Sequence, residues 1–222
     1  MRTSTSHRSP RHRPARSALV AACMLLAGCS PQGGTGSAPG PVYLPEARYE
    51  FYEVEGATAR TLAASIRRAR PPSQPGIGYT TWNVTWRAEW DGNPCRVRSA
   101  AVRATIVVSM PRWNAPPNAP RRVVEAWNRM MHALSVHEAG HVEYALAAER
   151  ALHGALMRVT APSCSEMTLR TSQVAQSVLD EARMNNERYD ERTRGGWTQG
   201  VVWPPGAPAD SAPADEEEPP QP

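Results

Sequence analysis

From Arg121 to Val159 the chain runs without a proline and is dominated by Ala, Leu, Arg, Met and Glu, residues that enter a helix at little cost. One stripe along this segment reads Val123, Trp127, Met130/Met131, Leu134, His137/Glu138, His141, Ala145 and Ala148. Apolar positions recurring at intervals of three and four give a helix one core-facing side. The octet SVHEAGHV, residues 135–142, puts two histidines and a glutamate on that same side. Such groups rarely occupy a core without a partner. The segment that dictates a long buried helix therefore also poses the functional question.

The ends of the chain bear on its compartment. Residues 1–17 carry Arg2, Arg8, Arg11, Arg13 and Arg16 and no acid, and the apolar run 18–27 follows. That run is shorter than the roughly 20 residues of a spanning helix, and a basic start before a short apolar core is the pattern of a signal peptide. Leu26-Ala27-Gly28-Cys29 resembles a bacterial lipobox. The resemblance implies cleavage after residue 28 and a lipid on Cys29, and Ser30 in place of Asp leans toward the periplasmic side of the outer membrane. All 25 basic residues are arginine. Without the five that precede Cys29, 20 arginines face 21 acids, a balance of −1. The basic pI thus belongs to the leader and gives no reason to expect a nucleic acid partner.

Residues 29–41 are Gly-, Pro- and Ser-rich and read as a flexible tether. Residues 204–222 are Pro-, Ala- and acid-rich, and read as a disordered tail. One domain, residues 42–203, lies between, long enough for a single core. Its two cysteines, Cys95 and Cys164, form an even pair in an exported chain, and a disulfide is expected, with two free thiols as the alternative.

Within the domain, Arg48–Glu55 alternates as a strand, and 58–70 has helical spacing at Leu62, Ala63, Ile66 and Ala69 before Pro71-Pro72. From Thr80 to Trp90, residues Thr80, Trp82, Val84, Trp86, Ala88 and Trp90 share one face. A tryptophan stripe of this kind is a sheet face packed against helices more often than a ligand platform. Asp91-Gly92-Asn93-Pro94 is a turn, and Arg96–Met110 returns as the second strand of an antiparallel hairpin, ended by Pro111. After the long helix, Pro162 is followed by a second helix to about Glu191, capped by Ser163 or Ser165, with Leu169, Val174, Val178, Leu179 and Ala182 inward. The expected fold is α+β: a small zincin-like domain with a short antiparallel sheet on two long helices.

His137 and His141 are four apart, so on a helix they point the same way. Neutral imidazoles so placed can share one zinc ion. Glu138 is turned about 100° from His137, which suits it to activate a zinc-bound water as general base. Gly140 allows a neighbouring strand or substrate to approach the helix closely. The bland alternative is a pair of structural histidines. A catalytic zinc needs a third protein ligand, and the metzincin extension is absent, since Tyr144 and Ala147 stand in its places. His132 is rotated off the face, and His153 lies about 18 Å along the axis from His141. Asp180, Glu187 and Asp190, on the second helix or at its end, remain.

A series of short motifs runs in order through the domain: Tyr52-x-Val54-x-Gly56-x-Thr58, then Thr81-Trp82-Asn83-Val84-Thr85-Trp86 with Cys95, then Pro111-x-Trp113 and Trp127. His137-Glu138-x-Gly140-His141 follows, then Cys164, Tyr189-Asp190-x-x-Thr193-x-Gly195 and Gln199-Gly200. Together they resemble the bacterial predicted secreted zinc-dependent proteases first catalogued as domain of unknown function 922. The resemblance implies a zinc metallopeptidase of the cell envelope, acting on a peptide or protein. His137, His141 and Asp190 would be ligands, Asp190 in the manner of aspartate-type zincins, and Glu138 the base. Arg194 departs from the family pattern, which often has histidine there. If that histidine is a ligand in the family, this chain is a weakened or inactive member. Two rival readings stand beside the protease: a non-catalytic envelope lipoprotein that binds a partner or glycan, and a hydrolase of peptidoglycan peptides.

Overall fold

The computed structural model describes residues 39–207. The leader, the lipobox with Cys29, most of the tether and the acidic tail lie outside the described residues.

The first strand, β1 (Arg48–Val54), is followed by helix α1 (Ala59–Ala69). Thr58 and Thr61 close a reciprocal capping box at the start of α1: each side chain accepts from the other's backbone N–H. Leu62, Ala63 and Ile66 are buried as their spacing predicts, whereas Ala69 is exposed because the helix ends there.

Strands β2 (Tyr79–Asp91) and β3 (Cys95–Trp113) form the expected antiparallel hairpin. They are long, and β1 adds to β3 in parallel, so the sheet is mixed, in the order β1-β3-β2. Pro111 does not end β3 but lies inside it. Beyond Ser109 no residue of β2 faces β3, and only parallel β1 flanks that stretch. The missing N–H of Pro111 therefore costs the ladder little.

Helix α2 (Arg121–Leu156) buries the whole expected stripe from Val123 to Ala148. It stops three residues before Val159, and Thr160–Ala161 form a short strand β4 against Cys95 and Arg96. Helix α3 (Met167–Thr193) follows a 3-10 turn, with neither Ser163 nor Ser165 capping it. Met167, Thr171 and Ala175 define its inward face. Leu169 was expected inward but is exposed, because two residues turn a helix by about 200°.

The tryptophan stripe is packed, not free: Trp82 and Trp86 lie against a cluster containing Val84 and, from the helices, Ala148, Leu152, Leu156 and Ala175. At the other end, Trp127 makes edge contacts with Trp113 and Trp203, both at 5.4 Å. The Trp203 contact returns the C-terminal segment to α2. Cys95 and Cys164 are joined by a disulfide, which ties the start of β3 to the corner between the two long helices. Among the described residues no helix is long and apolar enough to cross a membrane.

Candidate metal centre

Helix α2 presents His137, Glu138 and His141 at its buried face, each no more than 5 % exposed. Helix α3 lies alongside, and its residues Asn186, Tyr189, Asp190 and Thr193, spaced by three and four, face that part of α2. Close approach is possible because Gly140 has no side chain: a Cβ there would collide with the Tyr189 hydroxyl and ring. The neighbour that Gly140 admits is thus the Tyr189 ring, not a strand. Tyr189 stacks on His137 with ring centroids 5.2 Å apart, and its hydroxyl donates to the His137 carbonyl at 3.2 Å.

The approach of α3 brings Asp190 to the histidines. Asp190 Oδ1 lies 3.2 Å from His137 Nε2 and 3.0 Å from His141 Nε2. The two Nε2 atoms are 3.3 Å apart. Each imidazole is oriented from its far side, His137 Nδ1 donating to Gln199 Oε1 and His141 Nδ1 to Asn186 Oδ1, both at 2.9 Å. With Nδ1 protonated, each neutral ring offers its Nε2 lone pair to the shared space, beside a carboxylate oxygen. Three acceptors facing one another require a cation or a proton among them.

The set fits a metal. The three ligand atoms lie within 4.8 Å of one another. A tetrahedral site with ligand distances of about 2.0–2.1 Å has edges of about 3.3 Å, close to the separations found. Outer partners that fix a ligating histidine's tautomer are characteristic of metal sites. His137, His141 and Asp190 can therefore hold a metal ion. Of the other acids considered, Asp180 pairs with Arg183 at 2.8 Å, and Glu187 lines the neighbouring cavity without joining the group. His132 contacts the Gly40 carbonyl, and His153 is on the exposed side of α2.

Electrostatics follow the same geometry. When protons rather than a metal occupy the shared space, burial opposes ionisation of Asp190, but its hydrogen bonds with the two histidines outweigh it and hold the carboxyl well below its usual range. Burial also works against a charged His141, and its bonds to Asp190 and Asn186 overcome that and raise its pKa. Glu138 is pushed up by burial, only partly offset by the Thr80 hydroxyl, which donates to its Oε2 at 2.6 Å, and by the two histidines. A cavity of about 730 Å³ opens onto these groups, walled by residues 75–80, Leu134, the end of α3 and the segment through Trp203.

An α+β domain with a His/His/Asp group able to hold a metal is the class that the fold and site define. Residues 49–196, well over half of the chain, match the bacterial protein family of unknown function DUF922, and the chain belongs to that family. No curated protein and no solved structure matches it.

The pairing of His137 with His141 is legible in the sequence, and Asp190 was among three open acids there. Asn186, and the roles of Thr80 and Gln199, were missed. Asn186 precedes Asp190 by one helical turn, which is the signal that would have marked it. Thr80 could be placed only on a sheet face.

Proposed function

We propose that this protein is a zinc-dependent hydrolase of peptide bonds. The observation that carries the reading is the convergence of His137 Nε2, His141 Nε2 and Asp190 Oδ1 beside the buried Glu138, on a cavity large enough for several peptide residues. His137, His141 and Asp190 would hold the zinc, which supplies Lewis-acid activation of water and of a carbonyl group when bound. Glu138 is suited to accept a proton and later return it. Burial pushes its pKa up, which favours its taking a proton. Thr80 fixes one carboxylate oxygen, and the other faces Gly78, whose lack of a side chain leaves it room. Gln199 and Asn186 hold the two imidazoles in register.

The group draws three protein donors together without residue 194, so Arg194 does not remove a ligand from it. A closed set of four protein ligands would favour a purely structural metal; among the described residues there are three, and a cavity reaches them. The substrate is proposed to be a peptide or protein, cell-wall peptides included, met in the envelope where a lipid on Cys29 would hold the chain.

Zinc content decides the first step. Wild type is expected to carry about one zinc per chain and His137→Ala to lose it, as measured by elemental analysis. Glu138→Gln is expected to keep zinc and to lose hydrolysis of a denatured-protein substrate by about a hundredfold or more. Full hydrolysis by Glu138→Gln would refute the assignment of the base, and a zinc-free wild type after reconstitution would refute the site.

A further inference from the structure

We propose that the cavity beside this group selects peptides by a carboxylate, bound by Arg67, Arg70 and Arg194. The inference rests on the hydrolytic reading of the site and adds the class of substrate it would take.

All three arginines line the cavity that holds His137, Glu138, His141 and Asp190. Arg67 and Arg70 lie three apart at the end of α1, on one side of the helix. Arg70 is held in place, its Nη1 donating to the Pro75 carbonyl at 2.6 Å across the loop that walls the cavity. Arg194 comes from the end of α3, which adopts the left-handed conformation there (φ 50°). Its guanidinium lies 5.9 Å from the centre of the Trp197 ring, an arrangement that steadies the cation while leaving its N–H edge free.

Six of the described arginines have a carboxylate partner; Arg67, Arg70 and Arg194 are among those that have none, and they are the arginines that line this cavity. Three acids share the cavity with them, but Asp190 is bonded to the two histidines, the buried Glu138 accepts from Thr80, and none of the three pairs with a guanidinium group. Guanidinium groups left without an ion-pair partner around a concave site attract ligands of opposite charge. Guanidinium groups match a carboxylate in two-point geometry, which favours this anion over a neutral amide of the same shape. The carboxylate can belong to an acidic side chain or to a peptide C-terminus.

The test is binding, so it does not depend on turnover. Three N-acetylated pentapeptides are titrated against the metal-free whole chain at low salt, with tryptophan fluorescence as the readout, since Trp197 and Trp203 line the cavity. One is an amide with central Glu, one the same amide with central Gln, and one the Gln peptide with a free C-terminal carboxylate. At least one acidic peptide is expected to bind about tenfold more tightly than the Gln amide, and which one does identifies the source of the carboxylate. Arg67→Gln/Arg194→Gln is expected to abolish that preference while leaving the Gln amide's affinity and the thermal midpoint unchanged. Equal affinities in wild type, no binding of any peptide, or a preference that survives in the double variant would each overturn the proposal. A protein that shows the preference but, once reconstituted with zinc, cleaves neither these peptides nor a denatured protein would instead refute the hydrolytic reading alone.

Discussion

Gly140 shows how one residue serves both fold and site. In the interior of a helix glycine costs about 1 kcal/mol relative to alanine, so Gly140→Ala would stabilise α2 if nothing lay beside it. Tyr189 does lie there, and an added Cβ meets its hydroxyl and ring. Relief requires α3 to move away, and the next residue on α3 is Asp190. The variant is therefore expected to be less stable by about 1–3 kcal/mol, the usual cost of overpacking, and also to bind zinc more weakly. Chemical denaturation and a zinc titration check the two effects together. A more stable protein, or one with undiminished zinc affinity, would mean that the Tyr189–Gly140 contact does not position Asp190.

At the scale of elements, the site is a seam between two helices that differ in how clearly the sequence announces them. Helix α2 has a broad apolar stripe, and that stripe alone fixes which way His137 and His141 point. Helix α3 buries mainly Met167, Thr171, Ala175 and Thr193, a face with little apolar contrast. Its rotation is set by docking, which is why Leu169 was misplaced and why Asp180, Glu187 and Asp190 remained open from spacing alone. The hairpin was legible because alternation has a period of two. Alternation says nothing of partner or direction, and so the parallel pairing of β1 and the continuation of β3 through Pro111 were not. The seam also supplies the outer partners of the histidines, Asn186 from α3 and Gln199 from the turn that follows it. Asn186→Ala and Gln199→Ala are each expected to weaken zinc binding by about 10–100-fold, the usual effect of removing such a partner, with little change in fold. Competition against a chromophoric chelator measures this, and an affinity equal to wild type in both variants would rule out an orienting role.

Across the whole molecule, stability and chemistry are placed at different ends. The Cys95–Cys164 bridge closes a loop of 69 residues that contains most of β3 and all of α2. Its Cys95 end sits in a cluster with Val97, Val159, Ala161 and Met167, distinct from the core around Leu134 that adjoins the histidines. Cysteine parity was enough to expect the bridge, because only one pairing is possible within the domain, and the hairpin turn and helix corner gave it two plausible ends. A cross-link over a loop of this size stabilises by about 4 kcal/mol if it acts mainly on the unfolded chain, and native bridges span about 2–5 kcal/mol. The Cys95→Ser/Cys164→Ser variant is expected to unfold at lower denaturant with a loss in that range. Under conditions where it is folded it should hold as much zinc as wild type, since His137, His141 and Asp190 are positioned by the α2–α3 seam and by Gln199 and Asn186. Equilibrium denaturation beside elemental analysis separates the two. A variant that stays folded but loses its zinc would show that the bridge itself holds the seam in register, and that the two ends of the molecule are coupled through α2.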